Sequence, residues 1–281
     1  MKTVTELKQQ LMNFRDNEWK IPTHINNYEL VLEAMLNIGS TDPVLRDELI
    51  LELIYKMIVE KDLTDKEIKY LMKLALSENH LFYKIGQKED DSVFNRAFTI
   101  LLIGGILNRH NSSTDKLFTE KEIKETLNEI LRYVREEKDV RGYVEGKGWV
   151  HTAAHTGDAL GEIALCTEIQ SSELIEILDA IKEKVCISYY TYKNSEDERL
   201  VSAIINIIQR KILSEEEVVN WIKGFENMNK TGKYPEDHYL ISNHKNFLAA
   251  LYFRLKRRNL AQCFLDAIEV VLNNTTAPYF K

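Results

Sequence analysis

Four prolines in 281 residues, Pro22, Pro43, Pro235 and Pro278, leave long stretches in which apolar residues recur with helical spacing. Proline removes a backbone donor and breaks a helix from within, so their scarcity and the 3.6-residue period together predict a chain that is helical almost throughout. Helix starts are announced by a Ser or Thr followed three residues later by Glu, a reciprocal cap that satisfies two free backbone donors. The pattern occurs at Thr3/Glu6, Thr64/Glu67, Thr119/Glu122, Ser195/Glu198 and Ser214/Glu217. Asp42 followed by Pro43 marks another start, with proline placed where its missing N–H costs nothing.

Read this way, helices are expected over about 4 to 18, 26 to 38, 43 to 60, 65 to 77, 92 to 109, 120 to 137, 149 to 168, 172 to 187, 197 to 211, 215 to 227, 244 to 257 and 259 to 273. No Gly/Ser-rich or low-complexity linker divides them, so residues 1–281 form one expected all-α domain. The longer connections, around 78 to 91, 138 to 148 and 228 to 243, are where loop-borne function is expected. Starts of alternate helices at Pro43, Ser92, Trp149, Asp197 and His244 recur at roughly 50 residues, close to the period of HEAT and armadillo helix pairs. The expected architecture is a single curved array of about six helix pairs, a HEAT/armadillo-like α-α superhelix, with a closed α/α toroid as the alternative.

Lys and Arg total 37 against 44 Asp and Glu, a formal charge of -7 that argues against sequence-independent attachment to nucleic acid. The basic run Arg254 to Arg258 ends a helix and complements its dipole rather than marking a phosphate-backbone patch. Cys166, Cys186 and Cys263 are odd in number and form no CxxC, as in a reduced cytoplasmic protein. The N-terminus lacks an apolar signal core, and no run approaches the ~18 apolar residues of a membrane span.

The most unusual stretch is RGYVEGKGWVHTAAHTGDALGE, Arg141 to Glu162. On the helix expected there, His151, His155, Asp158 and Glu162 fall on one narrow stripe opposite small residues, which points the stripe into a polar cavity. His151, His155 and Asp158 can present nitrogen and oxygen ligands to a divalent transition metal such as Zn, with Asp91, Asp197, Glu198 or His244 completing the set. Without a metal, His151 or His155 is a candidate acid/base group oriented by Asp158. The structural reading makes both histidines hydrogen-bonded groups in a polar groove. HTAAH lacks the Glu of HExxH, and GYVEGKGW lacks the spacing of a Walker loop.

Gly142, Gly146 and Gly148 permit tight turns, and Arg141, Glu145 and Lys147 surround the helix entrance, as either an anion cradle or a charged turn. Trp149 either walls a pocket or anchors the helix. Arg96 interrupts an apolar helix and calls for a carboxylate such as Asp91 or Asp158, or for an anionic ligand. Asp197 and Arg199 join the candidate ligand contacts at the next helix start, and His244 at the one after. His24, His80, His110 and His238 belong to no constellation and read as structural or solvated.

GSTDPVLRDEL at 39 to 49, DSVFNRAF at 91 to 98, RGYVEGKGWVHTAAHTGDAL at 141 to 160, SEDERLVSAI at 195 to 204 and NHKNFLAALYFRL at 243 to 255 together resemble the uncharacterised bacterial family DUF2785. The resemblance implies a compact helical protein of the bacterial cytoplasm and supplies no reaction. The expected function is binding of a small anionic or metal-linked ligand through Arg141, Lys147, His151, His155 and Asp158, with hydrolysis as the associated chemistry. The alternative is a non-catalytic scaffold whose concave face grips a protein partner. Neither a nucleic acid nor a membrane is an expected partner.

Overall fold

The computed structural model describes residues 2–276, so Pro278 lies outside it. Twelve α-helices run through these residues: α1 Val4–Asp16, α2 Asn27–Met35, α3 Glu52–Val59, α4 Asp65–Ala75, α5 Ser92–Asn111, α6 Glu120–Glu136, α7 Thr152–Leu165, α8 Ser171–Val185, α9 Glu196–Arg210, α10 Glu215–Lys223, α11 Glu236–Arg257 and α12 Gln262–Thr275. A π-helical stretch, Val44–Leu51, runs into α3, and a 3-10 turn, Gly224–Glu226, follows α10. The described strands are β1 Tyr143–Val144 and β2 Gly148–Trp149, an antiparallel hairpin with Tyr143 opposite Trp149.

Four of the five expected capping boxes form, at Thr3/Glu6, Thr64/Glu67, Thr119/Glu122 and Ser214/Glu217. Asp42 accepts from the amides of Val44 and Leu45, as its place before Pro43 predicts. Ser195/Glu198 does not form a box. Ser195 has φ 63, and Glu196 takes over the loop by accepting from the amides of Lys193 and Asn194.

Two helix boundaries also differ from the periodicity. The helix expected from Trp149 begins at Thr152, because Gly146, Gly148 and His151 adopt positive φ and fold the preceding residues into the hairpin. Gly148, with φ 81, also lies against Pro43 and Arg46; a Cβ there would sit 2.9 Å from the Pro43 side chain. In the other case, α11 begins eight residues before His244, at Glu236, because its first turns are too polar to show a hydrophobic stripe.

Alternate helices are neighbours. α5 packs on α7, α7 on α9 and α9 on α11, while α6 packs on α8 and α10 on α12. The α7–α9 approach depends on Gly157, where a Cβ would meet the Arg199 backbone at 2.8 Å. Most of α5 is buried, as its single interior charge predicts. One apolar cluster runs from Leu7 to Val271, and a smaller one, Val140, Ala153, Ile187 and Tyr192, lies beneath the loops. Among the described residues no helix is long and apolar enough to cross a membrane.

Candidate functional site

The stripe on α7 starts at the helix entrance with two imidazoles whose rings are 6.0 Å apart. His155 is only 7% exposed, and its Nδ1 lies 3.0 Å from the Ala97 carbonyl oxygen. A carbonyl only accepts, so Nδ1 carries the hydrogen and Nε2 keeps its lone pair. Burial pushes the His155 imidazolium down to about 3 despite the Ala97 bond, and His151, Arg199 and Arg46 act with burial. Burial, followed by the charge of Arg199, also lowers His151. Both rings are therefore neutral at neutral pH. His151 Nε2 is buried without a hydrogen bond, and the ring lies 4.1 Å from that of Trp149.

One turn further, the Arg199 guanidinium from α9 grips Asp158 with both prongs, Nε to Oδ1 at 2.8 Å and Nη2 to Oδ2. Burial raises the Asp158 carboxyl while Arg199 opposes the rise. This pair borders a cleft of about 350 Å³ between α3, α5, α7 and α9, whose polar lining is Tyr55, Asp158, Glu162, Arg199, Ser202 and Asn206. Glu162 accepts from the side-chain amides of Asn108 and Asn111, at 3.2 Å each. Burial, with the charges of Glu162 and Asp158, keeps the Tyr55 phenol protonated by raising its pKa.

A family described as "Protein of unknown function (DUF2785)" matches residues 81–253. The chain belongs to that family. No curated protein and no solved structure matches it. The DUF2785 match covers α5 to most of α11 and hence the polar cleft residues named above except Tyr55, which α3 supplies.

Several expected site residues of this DUF2785 protein are committed elsewhere. Arg96 pairs with Glu137, not with Asp91 or Asp158; its Nε is 2.5 Å from Oε2, and both side chains are fully buried. The Tyr83, Lys84 and Gln87 carbonyls and the Ser92 hydroxyl take its remaining donors. Arg141 forks onto Asp139 and reaches the Asp90 carbonyl. Lys147 pairs with Asp91, and Glu145 is exposed on the hairpin turn. Asp197 accepts from the Glu198 amide. His244 is buried against Phe225, with Nε2 2.9 Å from Thr275 Oγ1, so it faces α12.

Other contributors were not evident as site residues. Tyr55 comes from a helix with no polar motif. Ser202 and Asn206 follow Arg199 by three and seven positions, a helical spacing that would have found them once Arg199 was placed in the cleft. Arg46 is fully buried between Phe94 and Phe98, at 4.4 and 4.6 Å from their ring centres. It holds the hairpin by donating to the Lys147 and Trp149 carbonyls.

The metal reading requires three convergent ligands. Asp158 is closed by Arg199, which leaves two imidazoles and, among the described residues, no third convergent ligand beside them. Among the described residues, His110, Cys166 and Glu168 do gather their ligand atoms within 4.8 Å of one another. Their hydrogen bonding runs the wrong way for a metal. The Phe118 amide donates to His110 Nδ1 at 3.2 Å, so Nε2 carries the hydrogen, 3.3 Å from Glu168. A metal-bound histidine has the reverse arrangement, a bare nitrogen on the ion and an N–H on an acceptor. Burial also pushes the Cys166 thiol up to about 12, with Glu168 acting in the same direction.

Proposed function

We propose that this protein binds a small polar molecule in the cleft between α3, α5, α7 and α9. The observation that carries this reading is the convergence of Tyr55, Asp158, Glu162, Arg199, Ser202 and Asn206 on one recess of about 350 Å³. That volume is within the ordinary range for small-ligand sites, and a few placed polar groups are what gives such sites selectivity. The packing of alternate helices supports a curved HEAT-like array in which α3, α5, α7 and α9 form the inner layer. The three free cysteines support a cytoplasmic setting.

Binding is favoured over hydrolysis because neither His151 nor His155 lines the cleft and its Asp158 is already paired with Arg199. Thermal unfolding with a metabolite panel tests the reading, using the wild type and Ser202→Phe, which fills the recess. A ligand at 100 times its Kd stabilises a two-state fold by about 2.7 kcal/mol. The expected result is stabilisation of the wild type that Ser202→Phe loses while keeping its helical spectrum. Equal stabilisation of both proteins, or none across the panel, overturns it.

A further inference from the structure

The charges lining the cleft do not balance. Arg199 spends its charge on Asp158 through a two-pronged pair, while Glu162 is held only by the neutral amides of Asn108 and Asn111. Among the described residues no cation forms an ion pair with Glu162. The cations expected to attract an anion are occupied away from the cleft, Arg141 by Asp139 and Lys147 by Asp91. Asn206 donates its amide to the Gly161 carbonyl at 3.3 Å, so the oxygen at its tip remains an acceptor.

We infer that the ligand is a small organic amine whose ammonium group sits against Glu162 and the Asn206 oxygen. This deepens the cleft reading and rests on it. An ammonium group brings three donors and no acceptor, which suits a lining whose unspent capacity is a carboxylate charge and an amide oxygen. A charge-assisted N–H to carboxylate bond is also about twice as strong as a neutral one. The Tyr55 hydroxyl and the Arg199 guanidinium also line the cleft and are donors, which an acceptor on the same molecule would meet. The class is therefore an amine with a hydroxyl or carbonyl a few bonds away.

Calorimetric titration at pH 7 and low salt with 4-aminobutan-1-ol, butane-1,4-diol and succinate compares cationic, neutral and anionic probes of equal chain length. The amine should bind at least about tenfold more tightly than either of the others. Glu162→Gln, close in shape, should lose that preference, whereas Glu168→Gln, which removes a carboxylate outside the cleft, should keep it. Asn206→Asp supplies an independent variant and should tighten the amine. Succinate binding more tightly than the amine, an unchanged preference in Glu162→Gln, or no binding of the amine overturns the inference. The cleft reading is decided separately: diol or succinate binding that Ser202→Phe removes sustains the cleft while the amine assignment fails.

Discussion

The two ends of α7 hold similar side chains and treat them in opposite ways. At its N-terminal end are His151, His155 and Asp158; beyond its C-terminal end Cys166 and Glu168 meet His110. In the first group a backbone carbonyl takes the hydrogen of His155 Nδ1, leaving Nε2 bare. In the second a backbone amide occupies His110 Nδ1, and the proton is directed at Glu168. Residue type does not separate a candidate site from a closed structural cluster. The direction of one backbone hydrogen bond does separate the two rings, because it decides which nitrogen keeps its lone pair.

The largest effect that sharpens this contrast is on stability. His110→Phe leaves the Phe118 amide without an acceptor where the ring is fully buried, a loss of about 1 to 3 kcal/mol. His151→Phe removes a half-buried ring whose Nε2 makes no hydrogen bond, so its cost should be smaller, at most about 1 kcal/mol even at the positive φ of this position. Urea unfolding compares the two; a costlier His151→Phe breaks the contrast.

Next is pH. His155 is held at about 3 in the folded protein against an ordinary value of 6.5, so between those values the unfolded chain binds the extra proton. Stability from this group is complete above pH 6.5 and falls as pH drops towards 3, by about 2 kcal/mol at pH 5. His244, lowered by burial to about 4, contributes with the same sign. His155→Gln should therefore flatten the decline between pH 7 and 5, and an unchanged slope would remove the neutral ring from the account.

Much of this fold is legible from short spacings. A Thr and a Glu three residues apart are enough to place α1, α4 and α6, because the cap is made by residues adjacent in the chain. The α7 stripe is legible for the same reason. What decides its chemistry is not local: Asp158 meets Arg199 at a separation of 41 residues, and His155 meets Ala97 at 58. Arg96 shows the same limit, since its need for a carboxylate is evident but Glu137 lies 41 positions away. Nor does any spacing connect His110 to Cys166. Nor does it show that Lys147 meets Asp91, 56 positions away.

Smaller effects separate the two ends further. Arg199→Met breaks an ion pair whose side chains are 46% and 25% exposed, so its cost to folding should be at most about 1 kcal/mol. A larger loss would make that pair a structural strut rather than the edge of a cleft. At the other end, Cys166 is fully buried and its thiol is raised to about 12, so it should resist alkylation at pH 8 until the chain unfolds. The half-exposed Cys263 should react first, and early labelling of Cys166 would show that the cluster opens.

The most direct test of the contrast is the tautomer of the two rings, read by long-range proton–nitrogen NMR on histidine-labelled protein at pH 7. The structure predicts His155 as the Nδ1–H form, with an unprotonated Nε2, and His110 as the Nε2–H form. Both rings in the same tautomer, or the two assignments reversed, would contradict the claim that opposite backbone hydrogen bonds set the two rings apart.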